Sequence, residues 1–194
     1  LRLLTLAVVC ATATSSHAQQ PLLPNTNLPD LALQTPRVIT EFGPDHVKSS
    51  RGAEGVHGME RTKGGRLWVA WYTGPGSRGV ESSRSYVVLA TSGDDGKTWQ
   101  EKMVLQPSRF VHTYDPCLWI DPQDRLWFFW AQSAGVQDGR MGVWAMVTQD
   151  AEVESPQWSK PRRIANGVML NKPTVLKNGH WLLPIGLWRD NTNV

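Results

Sequence analysis

The sequence predicts an all-β protein built from a repeated four-stranded unit, and three observations support this prediction. First, residues 66–71 (RLWVAW) recur 59 positions further on as residues 125–130 (RLWFFW), and Trp99 recurs as Trp158 at the same interval. Second, a turn-forming segment rich in Gly, Asp and Ser, residues 92–99, separates two strand-like apolar runs. Third, 10 of the 194 residues are Trp, whose large rings suit packing between sheets. A four-stranded unit that repeats at such an interval is typical of the blades of a β-propeller.

The N-terminal segment, residues 1–18, is predicted to be a secretory signal peptide. An apolar run at residues 3–13 follows Arg2 and precedes a small-x-small cleavage pattern that ends at Ala18. The alternative is a buried strand or helix. We therefore expect a secreted or periplasmic protein whose remaining thiol is Cys117, so that no internal disulfide supports the fold.

Composition and charge limit the classes of partner. The net charge of +3, carried by scattered basic residues, argues against nucleic-acid binding. After the signal peptide no segment is apolar over enough residues to span a bilayer, so no membrane partner is expected after cleavage. No His, Cys and Asp residues have metal-ligand spacing, and no Gly-rich phosphate loop follows a strand. Neither a metal nor a cofactor is therefore predicted.

The rest of the chain divides into a lead-in segment and three repeats. The lead-in, residues 19–54, contains a candidate ring-closing strand at residues 37–42. The repeats are predicted as blades at about residues 55–110, 111–168 and 169–194, the last one incomplete. In the second repeat the turn segment keeps only its polar start and Trp158. Because propellers contain four to eight blades, we expect the domain at residues 55–194 to supply about the first three.

The turn segment of the first repeat carries a recognisable motif. Ser92 and Asp94 are suited to bind turn amides, Gly96 to adopt a positive φ, and Trp99 to fold back as an apolar plug. Together with Thr98, these residues match every defined position of the Asp-box, or bacterial neuraminidase (BNR) repeat. The chain therefore resembles the sialidase (neuraminidase) superfamily of β-propellers. This resemblance implies six blades and a structural Asp-box that lies away from the catalytic face.

Two residues are candidate catalytic groups. The resemblance implies an acid/base carboxyl group eleven residues before the box serine, where this chain has Glu81. In that role Glu81 would donate a proton to a glycosidic oxygen; the alternative is a solvated loop glutamate. His57, on the predicted innermost strand, is a candidate general base or hydrogen-bond donor. A lone His at such a place is more often a packing residue.

Five further residues are candidate substrate contacts near the predicted rim: Glu60, Tyr72, Asp115, Lys172 and Arg189. Tyr72 is placed to stack on a sugar ring, and Lys172 to meet the carboxylate of a uronate. Asp115 is a candidate for binding a sugar hydroxyl, or alternatively for capping the turn before Pro116.

The expected function is that of a glycoside hydrolase, exo-α-sialidase-like, acting on an acidic or otherwise polar glycan. Members of the superfamily carry an Arg-Ile-Pro signature on the innermost strand, whereas residues 55–60 (GVHGME) lack it. Because a guanidinium group binds a carboxylate through two parallel hydrogen bonds, its absence makes a uronic-acid-containing or neutral glycan a better candidate than a sialoside. The alternatives are a non-catalytic glycan- or protein-binding propeller, or a polysaccharide lyase acting on uronate.

Overall fold

The structure, a computed structural model, describes residues 31–75, 84–134 and 140–187. These described residues form thirteen β-strands and two short 3-10 helices, Leu31–Leu33 and Lys48–Ser50, with no α-helix. The predicted all-β class is therefore confirmed. Within the same ranges, no helix is long and apolar enough to cross a membrane.

Sheet 1 combines one strand of the lead-in with four strands of the first repeat. Its strands are β1 (Arg37–Ile39), β2 (Arg51–Arg61), β3 (Leu67–Pro75), β4 (Tyr86–Ser92) and β5 (Gln100–Gln106). They lie in the order β1-β5-β4-β3-β2, and every neighbouring pair is antiparallel. The lead-in strand β1 thus pairs with the outermost strand of the first repeat, whereas a ring-closing strand would join a different repeat.

Sheet 2 is formed by the second repeat. Its strands are β6 (His112–Ile120), β7 (Leu126–Ser133), β8 (Gly142–Thr148) and β9 (Arg162–Asn166). They are antiparallel and lie in chain order. Leu67 opens β3 and Leu126 opens β7, so the interval seen in the sequence is also the interval between equivalent strands.

The third repeat contributes two short antiparallel pairs. Its strands are β10 (Val168–Met169), β11 (Thr174–Val175), β12 (Trp181–Leu182) and β13 (Ile185–Gly186). β11 pairs with β12, and β10 pairs with β13. The ring of Trp181 packs edge-on against Trp119 and Trp127 of sheet 2, with centroids 4.8 and 5.4 Å apart, so the third repeat lies on the outer face of sheet 2.

The main hydrophobic core lies between sheets 1 and 2. Side chains from both sheets form one buried cluster, whose members include Trp68, Tyr72, Leu89, Phe128, Trp130 and Trp144. Trp158, from the loop between β8 and β9, closes this cluster with its ring 6.1 Å from Trp68 and 6.2 Å from Phe128. Burial of so many aromatic rings accounts for the high Trp content and stabilises the contact between the sheets.

A loop of sheet 2 also reaches the β2–β3 turn of sheet 1. The carboxylate of Glu152 accepts hydrogen bonds from Thr62 Oγ1 and from the amide of Gly64, each 2.7 Å long. Arg66 Nε donates to the Glu152 carbonyl at 2.8 Å, and Trp68 Nε1 donates to the Ala151 carbonyl at 2.8 Å. The loop that retains so little of the Asp-box therefore uses its polar groups to bind the neighbouring sheet.

The first strands of the two sheets, β2 and β6, approach each other closely. A Cβ atom at Gly58 would lie 2.8 Å from the Pro116 carbonyl oxygen and 3.1 Å from Cys117 Cα. No side chain fits at this point, so glycine is required by the proximity of the two backbones. The contact brings the polar side chains of β2 within reach of β6.

Candidate functional site

The Asp-box residues form a closed hydrogen-bonded turn between β4 and β5. Asp94 accepts from the Thr98 amide at 2.9 Å, from Thr98 Oγ1 at 2.7 Å and from Ser92 Oγ at 2.7 Å. The Gly96 amide donates to Ser92 Oγ at 3.0 Å, and Gly96 has a φ of 82°. These bonds, led by the one from the Thr98 hydroxyl, lower the pKa of Asp94 to about 2. Trp99 donates from Nε1 to the Gly96 carbonyl at 3.0 Å and is 40% exposed.

The structure brings together two of the predicted substrate contacts, Glu60 and Lys172. The Lys172 Nζ donates to Glu60 Oε2 at 2.8 Å, although the residues belong to the first and third repeats. Glu60 Oε2 also accepts from the Ile120 amide at 3.2 Å, and Glu60 Oε1 accepts from the Arg61 amide at 3.0 Å. We call Glu60 and Lys172 the inner-strand pair. It joins β2, β6 and the segment before β11, and it lies toward the end of β2 that carries the β2–β3 turn.

Cys117 forms part of the wall beside the inner-strand pair. The thiol is buried, and burial raises its pKa to about 11, with Lys172 lowering and Glu60 raising the value. At neutral pH Cys117 is therefore an uncharged, poorly nucleophilic group. The charge of this site is set by the inner-strand pair.

His57 lies on the opposite face of β2 from Glu60, because side chains alternate along a strand and the two residues are three positions apart. Its Nδ1 is 3.2 Å from the carbonyl oxygen of Gly55. It lines a cavity of about 510 Å³ on the face of sheet 1 that points away from sheet 2, together with Lys48, Glu54, Val69, Trp71, Ala90, Trp99 and Glu101. The predicted catalytic His57 and the predicted binding residue Glu60 therefore do not belong to one site.

Two predicted substrate contacts are buried. Tyr72 is 3% exposed and packs under Gly55, where an added Cβ would lie 2.2 Å from its ring, so the expected stacking on a sugar is wrong. Asp115 is 8% exposed and lies at the irregularity in β6 between Tyr114 and Cys117, with a φ of 50°. Both side chains were predicted at a rim. Tyr72 instead belongs to the core between the two sheets, and Asp115 is buried in sheet 2.

Glu81 and Arg189, the predicted acid and one predicted substrate contact, lie outside the described residues. Their roles stay predictions. Among the described residues, no group of three or more His, Cys, Asp or Glu side chains is arranged to hold a metal ion.

An ion pair that the sequence did not suggest lies beside the His57 cavity. Arg51 Nη1 donates to Glu101 Oε1 at 2.7 Å, and Arg51 Nη2 donates to the His46 carbonyl at 2.6 Å. The Arg51 side chain is 2% exposed, and burial opposes its charge while the bonds to Glu101 more than compensate, so its pKa is raised. Arg51 is therefore committed to the fold and is not available to a ligand carboxylate. The two ion-pair partners are 50 positions apart, so no local pattern could have revealed them.

The fold and the inner-strand pair define an all-β protein of repeated antiparallel sheets, with an ion pair between the first strand of sheet 1 and the segment before β11. No family model matches the chain, and no curated protein matches it. Among solved structures the chain is similar to Zg3597, a family 117 glycoside hydrolase produced by the marine bacterium Zobellia galactanivorans. The identity is 14% and the TM-score is 0.43, with 76% of this chain and 53% of that chain covered. The chain thus spans about half the length of that structure.

Proposed function

We propose that the two sheets and the third repeat are consecutive blades of a six-bladed, sialidase-like β-propeller. The proposal is supported by equivalent Trp residues at the ends of the two box segments. Trp158 of sheet 2 fills the contact with sheet 1, while Trp99 lies at the same place on the face of sheet 1 that points away from sheet 2, beside Val69 and Trp71. In a ring of repeated sheets, each blade must pack on the next one, and a Trp at the same place in each blade provides this contact.

We further propose that the protein is an exported glycoside hydrolase and that the inner-strand pair is a glycan contact. The observation that carries this proposal is the convergence of Glu60 and Lys172, from the first and third repeats, where the first strands of the sheets meet. The first strands of propeller blades surround the central cavity, and polar groups that converge there are typical of ligand sites. The signal-peptide pattern of residues 1–18 supports export.

The inner-strand pair lies at the end of sheet 1 that carries the Asp-box, because Leu67 is opposite both Arg61 and Ser92. The general acid is therefore proposed as a separate site.

The proposed general acid is Glu81, which follows β3 and precedes β4 in the sequence, and the experiment that tests this role is the Glu81→Gln variant. Hydrolysis of a glycan panel is followed by release of reducing ends, with Glu154→Gln as the matched control. Glu154 is an exposed loop carboxylate whose partner is Lys102 at 3.2 Å. We expect Glu81→Gln to lose about 10²–10⁴-fold in turnover of substrates with poor leaving groups, the usual share of general acid catalysis. Activated aryl glycosides should lose much less, and a fluorogenic sialoside should be cleaved weakly by every form.

Equal losses on both kinds of substrate would remove Glu81 from the role of acid. Efficient turnover of the sialoside would contradict the proposal that the protein cleaves sialosides only weakly. Hydrolysis of no member of the panel by the unaltered protein would contradict the enzymatic proposal itself.

The second candidate function is non-catalytic glycan binding. It is favoured by the way in which Glu60 is held: two backbone amides and the Lys172 ammonium already occupy most of its acceptor sites. A carboxylate bound in this way anchors neighbouring groups and is poorly placed to exchange protons with a substrate. Glycan binding without release of reducing ends would favour this function over hydrolysis.

A further inference from the structure

The inner-strand pair has a well-anchored negative member and a more exposed positive member. The Glu60 side chain is 17% exposed and is held by amides of β2 and β6, whereas the Lys172 side chain is 47% exposed. Glu60 therefore determines where the Lys172 ammonium lies. Within residues 31–75, 84–134 and 140–187, Glu60 accepts from one of the three N–H donors of Lys172, and the exposed side chain offers the others to a ligand.

The pair distinguishes poorly between cation and anion but is well matched to hydroxyl groups. A ligand carboxylate that approached Lys172 would come close to the Glu60 carboxylate, 2.8 Å from the same ammonium, and the repulsion would offset the attraction. A sugar hydroxyl, by contrast, can accept from Lys172 and donate to the remaining acceptor site of Glu60. The neighbouring Cys117 is buried and uncharged, so it does not alter this balance.

We propose that the inner-strand pair selects a neutral sugar residue and discriminates against a uronate, with Glu60 as the positioning residue that sets this specificity. This inference depends on the proposed glycan-binding function. It replaces the expectation from the sequence that Lys172 meets a uronate carboxylate. That expectation treated Lys172 as an isolated charge, and in the structure it has a partner.

The experiment compares ligands that differ only in charge. Oligouronides are used before and after chemical reduction of their carboxyl groups, which replaces each carboxylate by a neutral hydroxymethyl group. Affinities are measured by calorimetry for the unaltered chain, for Glu60→Gln and for the control Glu154→Gln. We expect the unaltered chain and the control to bind the reduced, neutral form at least 10-fold more tightly. In Glu60→Gln the Lys172 ammonium loses its counter-charge, and the preference should reverse toward the uronate by a similar factor.

If near-UV circular dichroism shows that Glu60→Gln is poorly folded, Lys172→Gln is the variant that tests the inference instead. It should weaken binding of the neutral ligand about 10-fold without creating a preference for the uronate. Tighter binding of the uronate by the unaltered chain would overturn the inference and leave the proposed function intact. An unchanged ratio of affinities in a folded Glu60→Gln protein would reduce the pair to a structural link between strands. Binding of neither form would contradict the proposed function and the inference together.

Discussion

Asp121, in the β6–β7 turn, provides the sharpest test of how sheet 2 is stabilised. Its side chain is fully buried, and its carboxylate accepts four hydrogen bonds. Oδ1 accepts from the amides of Gln123 at 2.8 Å and Arg125 at 3.0 Å. Oδ2 accepts from Arg125 Nε at 2.6 Å and from Trp127 Nε1 at 2.9 Å. Burial by itself would raise the pKa of Asp121, but these bonds outweigh burial and lower it.

The substitution Asp121→Asn keeps the shape of the side chain but places an NH₂ group, itself a donor, opposite the N–H groups of Arg125 and Trp127. Oδ1 can still serve the backbone amides, but Arg125 Nε and Trp127 Nε1 lose their acceptor. Arg125 is 29% exposed and can bind water, whereas Trp127 is buried. Hydrogen bonds to charged groups contribute about 1.5–3 kcal/mol each and do not add fully, so we expect a loss of about 2–4 kcal/mol in the free energy of unfolding. In a protein of this size such a loss lowers the melting temperature by about 4–16 °C.

Asp124→Asn is the matched control, because it makes the same chemical change in the same turn. Asp124 is exposed, pairs with Lys63 at 2.7 Å on the surface and has a φ of 60°, which Asn tolerates. Loss of an exposed ion pair should cost less than about 1 kcal/mol. Urea unfolding of the three proteins, followed by Trp fluorescence, measures the difference. Equal destabilisation by the two substitutions would refute the argument from buried hydrogen bonds.

The pH dependence gives a second measurement of the same group. The folded-state pKa of Asp121 is lowered, so its stabilisation is complete above the unfolded value of about 3.9 and is lost as the pH falls through the folded value. The stability difference between the unaltered protein and Asp121→Asn should therefore be largest near neutral pH and shrink below about pH 4. A difference that stayed constant down to acidic pH would contradict the assignment.

Two further substitutions test the box and the contact between the first strands. Asp94→Ala should lower the melting temperature without changing glycan binding. Because the pKa of Asp94 is about 2 in the folded protein, its contribution to stability should be lost as the pH falls from about 4 to about 2. A full loss of binding at an unchanged melting temperature would contradict a structural role. Gly58→Ala should destabilise the protein by about 1–3 kcal/mol, because its Cβ would lie 2.8 Å from the Pro116 carbonyl oxygen. Gly43→Ala, which has nothing within 4 Å of its Cβ, is the control, and equal melting temperatures for both variants would show that β2 and β6 separate without cost.

The sequence predicted well those features that are local or repeated. Every hydrogen bond of the box joins residues at most four positions apart, so the motif itself contains the information needed to predict the turn. The division into repeats followed from the 59-residue interval, because equivalent strands begin at equivalent residues such as Leu67 and Leu126. Neither prediction required knowledge of how the sheets pack.

The candidate site was predicted less well, because it depends on which face of each strand meets another sheet. Tyr72 was expected at a rim, but the face of β3 that carries it is the one covered by sheet 2. Glu60 and Lys172 were each identified, yet their pairing across 112 positions could not be read from either local sequence. His57 and Glu60 were grouped by proximity in the chain, and alternation along β2 separates them.

The Glu152 contact has a consequence for how the protein opens in solution. The Gly64 amide donates to a carboxylate of the other sheet, whereas the Thr98 amide donates within its own turn. Protection of the Thr98 amide against hydrogen exchange therefore reports local fraying of one loop. Protection of the Gly64 amide reports separation of sheet 1 from the loop of sheet 2. The altered box of the second repeat thus links sheet 2 to sheet 1, and exchange of the Gly64 amide proton measures how often the two sheets separate.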